Sequence, residues 1–93
     1  MSVVAEFSVT PMVEGEMKPY VDAAVDEVKK SGLKYEVDAM GTTIEGDLDQ
    51  VLETIKRAHH AVRNKGVHRF FTELRIDDKE EGTSIDEEVK DYR

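Results

Sequence analysis

Ninety-three residues bound the chain to one domain, near the size at which a fold stands alone but buries only about two-thirds of its unfolded surface. With 21 acidic against 13 basic side chains the formal net charge is -8, which argues against a nucleic-acid backbone or an anionic membrane as partner and favours a cationic or neutral ligand. Cysteine is absent, which excludes disulfides, thiolate nucleophiles and cysteine-ligated zinc, and no stretch approaches the ~20 apolar residues of a membrane span, so a soluble, cytoplasmic protein is expected.

From Ser2 to Thr10 the residues alternate, with Val3, Ala5, Phe7 and Val9 on one face and Val4, Glu6, Ser8 and Thr10 on the other, the pattern of a strand with one buried face. Pro11 and Glu14–Gly15–Glu16 end it. Pro19 suits a first helical turn, Val21, Ala24, Val25 and Val28 recur at helical spacing, and Gly32 after Lys29 and Lys30 supplies the stop, giving a helix from Lys18 to Ser31. Lys34 to Ala39 reads as a second strand, joined by a tight Met40–Gly41 connection to a third from Thr42 to Gly46.

Asp47 or Asp49 can cap a second helix, whose Leu48, Val51, Leu52, Ile55, Ala58 and Val62 form one apolar stripe down to Gly66. Val67 to Ile76, rich in β-branched and aromatic residues, makes a fourth strand. The order β-α-β-β-α-β predicts an α+β, ferredoxin-like fold over residues 1–78, a four-stranded antiparallel sheet with both helices on one face.

Residues 79–93 form a charged tail. In it Ser84–Ile85–Asp86–Glu87 reads as a capping box, and Ile85, Val89 and Tyr92 line one side of a short helix. So short a helix needs packing, against its own domain or a neighbouring subunit.

The helices seal one sheet face, assigned Val3, Ala5, Phe7, Val9, Ile44, Phe70, Leu74 and Ile76. The open face then receives Glu6, Ser8, Thr43 and Glu45 from the central strands, Phe71, Glu73 and Arg75 from the fourth, and Met40 near the hairpin. A few convergent polar groups beside apolar ones make a plausible binding floor. A covered Glu6 or Glu45 needs Arg75, hydroxyl donors or a cationic ligand, because a buried carboxylate is costly unless paired. The plain alternatives are a solvated face, or a face buried between subunits.

Adjacent His59 and His60 point about 100° apart on a helix and make no two-ligand claw, so no metal site is expected and surface or helix-end roles fit them better. No nucleophile elbow or phosphate loop is present, and a Glu6–Glu45 acid–base pair has little room for a walled cleft, so no enzymatic activity is expected.

AEFSVTPM near the N-terminus, SGLKYEVDAMGTTIEGDLDQV in the centre and LRIDD at the end of the fourth strand resemble the thiamine-binding protein family over about residues 2–78. That resemblance implies a ferredoxin-like subunit assembling into dimers and tetramers through its sheets, and binding thiamine or its hydroxymethylpyrimidine part without catalysis. It implies Ser8, Thr43 and Glu45 as ligand-binding residues, followed by Glu6 and Met40, with Phe71 able to contact a ring. The expected function is therefore binding of a thiamine-like molecule on the open sheet face near a subunit interface. The alternative is a structural or regulatory homo-oligomer with no ligand on that face.

Overall fold

The computed structural model describes residues 1–93. Its elements run β1 (Ser2–Pro11), α1 (Lys18–Ser31), β2 (Lys34–Asp38), β3 (Gly41–Asp47), α2 (Leu48–Asn64), β4 (Phe70–Asp77) and α3 (Ile85–Val89). The strands lie in the order β2-β3-β1-β4, and every neighbouring pair is antiparallel. This is the α+β ferredoxin-like arrangement, in which each helix carries the chain past one strand to the next free edge. No helix is long and apolar enough to cross a membrane.

The alternation of β1 is realised as a core. Val3, Ala5 and Phe7 are buried with Ile44 of β3, and Ala24 and Val28 of α1 meet Val51, Ile55, Ala58 and Val62 of α2 above them. α1 ends where Gly32 adopts a left-handed φ of 75°, a conformation that costs glycine little because it has no Cβ. Asp47 occupies the cap position of α2, but its side chain makes no capping bond.

Two expectations change at β4. The strand begins at Phe70 rather than Val67, because Val67 drops into the core and its carbonyl, with that of His68, accepts from the Arg63 guanidinium at 2.8 and 3.2 Å. Leu74 and Ile76 do lie on the helix side, opposite Phe7 and Ala5, yet are 38% and 39% exposed. α2 holds β4 at its beginning, where His59 Nδ1 is 2.8 Å from Thr72 Oγ1 and Arg63 stands over the Phe70 ring. The rest of this edge strand extends beyond helical cover. His59 is accordingly a half-buried joint between layers, not the surface residue that helical spacing suggested.

Gly41 is required by close approach rather than by backbone conformation: a Cβ would stand 2.9 Å from the Phe7 carbonyl oxygen. Gly41→Ala is expected to lower stability by about 1–3 kcal/mol, read from urea unfolding, because a sheet carbonyl cannot move aside cheaply.

His59 titrates below the ordinary imidazole range because of burial, reinforced by His60 and Arg63. The unfolded chain then takes up the proton first, so the contribution of this joint is full above that range and is lost as pH falls through it. His59→Gln, which keeps a partner for Thr72 but cannot titrate, should lose less stability than the wild type between about pH 8 and about pH 5, as urea midpoints will show.

Candidate functional site

Antiparallel register sorts the open face into rows running across the strands. One row is Lys34, Glu45, Val4 and Asp77; the next is Glu36, Thr43, Glu6 and Arg75; beyond them the pairing of β1 with β3 stops, leaving Asp38 opposite Gly41 and, separately, Ser8 opposite Glu73. Residues directly opposite one another share a face, so each row follows from strand alternation once the register is fixed.

α3 lies over the first row. Its first residue, Ile85, is 2% exposed and donates its N–H to Glu45 Oε1 at 2.8 Å. Lys34 pairs with Asp86 at 2.6 Å, and that contact raises the Lys34 pKa. The Ser84 hydroxyl accepts the Glu87 N–H at 3.0 Å, half of the expected capping box; the Glu87 carboxylate turns instead to Lys90 at 2.8 Å. Beyond the helix, Arg93 reaches back to Glu36 at 2.6 Å. The tail therefore packs on its own sheet. Of the stripe Ile85, Val89 and Tyr92, only the first two face it, and Tyr92 is 85% exposed.

Between α3 and the second row runs a groove of about 520 Å³, lined by five carboxylates and two guanidinium groups. Glu36 is occupied by Arg93, whereas Glu6 and Arg75, cross-strand neighbours, form no ion pair with any group of the chain. At one wall Glu88 is pushed above the ordinary carboxylate range, first by burial and then by Asp77 beside it. Such a concentration of acid in a concave surface attracts cations.

The six residues singled out in the sequence occupy different parts of this surface. Glu6 and Thr43 line the groove together. Ser8 and Met40 border a second cavity at the tip of the β2–β3 hairpin. Glu45 lies beneath α3, its carboxylate bonded to Ile85, and Phe71 is exposed under the Arg69 guanidinium, 5.4 Å from ring centroid to carbon. Glu36, Asp38, Asp77, Glu88 and Arg93 also line the groove and were not singled out. For Glu36 and Asp38 the signal was present, since alternation in KYEVD puts both on one face with Lys34. For Glu88 and Arg93 there was none, because nothing local says where a tail docks.

A family model described as Thiamine-binding protein matches residues 5–93. A UPF0045 protein of Methanocaldococcus jannaschii is 42% identical over 90 residues, covering 95% of this chain and 89% of that protein. Among solved structures, a domain of unknown function from Bacillus cereus superposes with a TM-score of 0.94 at 39% identity, covering 100% of this chain and 91% of its own. A Thermotoga maritima protein provisionally named for thiamine biosynthesis or salvage superposes with a TM-score of 0.92 at 32% identity over 100% of both chains.

Removing the acceptor under α3 tests how the groove wall is held. Glu45→Ala leaves the buried Ile85 N–H without a partner, at a cost of about 1–3 kcal/mol. Amide exchange in residues 85–89 is expected to quicken about tenfold or more, with the central-strand amides of β1 unchanged.

Proposed function

Because the chain belongs to the thiamine-binding protein family, we propose that it is a non-enzymatic binding protein for thiamine or a closely related cationic pyrimidine, held in the groove on the open sheet face. The observation that carries this reading is the unpaired Glu6 carboxylate beside the Thr43 hydroxyl in a concave, strongly acidic surface. The permanent positive charge of the thiazolium ring fits Glu6, and Thr43 offers both a donor and an acceptor to ring or hydroxyl substituents. The acidity of the groove supports a ligand whose charge is positive. The carboxylates need no catalytic task in this reading: they hold a cation.

A second reading has its own supporting observation. The outer edge of β4 pairs with no strand, and Leu74 and Ile76 stand exposed beside it. An unprotected edge with apolar neighbours suits association with another copy, and a dimer or tetramer could place the groove near a subunit interface. Ligand binding and assembly are compatible. A purely structural oligomer is the competitor, and its melting temperature would rise with protein concentration but not with thiamine.

Isothermal titration with thiamine decides between them. Saturable binding is expected, weakening with added salt, and Glu6→Gln should lower affinity about tenfold, equivalent to ~1.4 kcal/mol, as expected for a half-solvated charge pair. Unchanged affinity in Glu6→Gln would remove the carboxylate from the site, and absence of heat in the wild type would leave the structural oligomer as the better account.

A further inference from the structure

One cation is already paired at the acidic groove, and the chain itself supplies it. After α3 the backbone turns, with the Tyr92 N–H donating to the Val89 carbonyl at 2.8 Å, and Arg93 returns to β2. Its guanidinium donates to Glu36 Oε1 at 2.6 Å, and Asp38 and Asp86 act on the same charge through space. Glu36, Asp38 and Arg93 all line the groove.

Glu36 stands in the same row as Glu6, with Thr43 between them, so their backbones are two strand spacings apart, about 10 Å. A guanidinium on Glu36 is therefore about one Debye length from a ligand cation on Glu6, close enough to repel it. It also occupies a carboxylate of the groove and the space in front of it. What Arg93 takes from the groove is what a cationic ligand would use.

This contact is not what anchors α3. The helix is fixed at its first turn, where Ile85 is buried and its N–H bonds Glu45, and where Asp86 pairs with Lys34. The Arg93 and Glu36 side chains are 55% and 30% exposed, a setting in which an ion pair contributes little and opens readily. The guanidinium can leave Glu36 with α3 still in place.

We propose that the Glu36 wall of the groove is a cation subsite and that Arg93 is its built-in competitor, a latch that an incoming cationic ligand displaces. The proposal deepens the binding reading of this groove and rests on it for the ligand. It adds regulation: apparent affinity scales with the fraction of time the subsite is open, so a latch closed about two-thirds of the time weakens binding about threefold. Any event that engages Arg93 elsewhere would tighten it.

The test measures thiamine affinity of the full chain by titration calorimetry. Arg93→Gln should bind about threefold more tightly than the wild type. Lys90→Gln removes the same charge from the same tail, at a side chain paired with Glu87 outside the groove, and should change affinity by less than about 1.5-fold. In a Glu36→Gln background the gain from Arg93→Gln should vanish. Amide exchange in residues 85–89 should match the wild type in Arg93→Gln, because the helix anchor is untouched. The latch is refuted if Arg93→Gln gives no gain, if Lys90→Gln gains equally, if the gain survives without Glu36, or if exchange in the helix quickens. Thiamine binding by the wild type would then leave the function reading intact.

Methylguanidinium, followed by amide chemical shifts, separates the two readings where thiamine does not bind. It should perturb the amides of Glu36 and Thr43 with a midpoint about threefold lower in Arg93→Gln than in the wild type. That difference without thiamine binding keeps the latch and refutes the function reading. Equal midpoints refute the latch, and a chain that binds neither probe refutes both.

Discussion

The contact on which the open face depends is the hydrogen bond from the Ile85 N–H to the Glu45 carboxylate. A five-residue helix cannot hold itself together in water, because it fixes several backbone dihedrals for almost no internal hydrogen bonds. Its first N–H groups are also left without helical partners. Glu45 supplies the acceptor, Ser84 supplies a second, and burial of the Ile85 side chain contributes the apolar part. The sheet thereby gains a cover over one row of residues and a wall beside the next. Without that wall the second row would be a flat solvated surface, and the groove exists because α3 stops short of covering it.

Charge follows the same geometry. Lys34 and Arg93 are neutralised by Asp86 and Glu36, contacts that fasten the tail at two places outside the Ile85 anchor. These pairs are exposed and individually weak. Their consequence for the groove is one of allocation: the cations nearest the tail are used up, and Glu6 and Arg75 remain unpaired in the row that a ligand can reach. Burial, and then Asp77 beside it, raise the Glu88 carboxyl above the ordinary carboxylate range at the covered end of the groove.

On the opposite side of the sheet the balance is uneven. α1 and α2 cover the inner strands, whereas β4 is attached through the His59, Arg63 and Phe70 cluster at its beginning and extends past the helices at its end. Two helices of this length cannot roof four strands completely, and the outermost strand bears the shortfall. The second cavity at the tip of the β2–β3 hairpin lies on the other side of β1, where the hairpin ends before the long first strand does.

Periodicity in the sequence was enough to determine the helices, the strands, their order and the face on which each β1 residue lies, because those properties depend on neighbours two to four positions away. The Lys18–Ser31 helix and the burial of Val3, Ala5 and Phe7 are cases of this, and so is the presence of Glu6 and Thr43 on the face away from the core. What only the tertiary structure decided was set by contacts between distant segments. Glu45 and Ile85 are forty positions apart, and Arg93 and Glu36 fifty-seven, so no local pattern could say that the tail returns to its own sheet, that Glu45 is engaged there while Glu6 stays free, or that Ser8 and Met40 border a cavity separate from the one lined by Thr43. Alternation assigns a side chain to a face; which other segment then covers that face is a matter of long-range packing, which alternation does not encode.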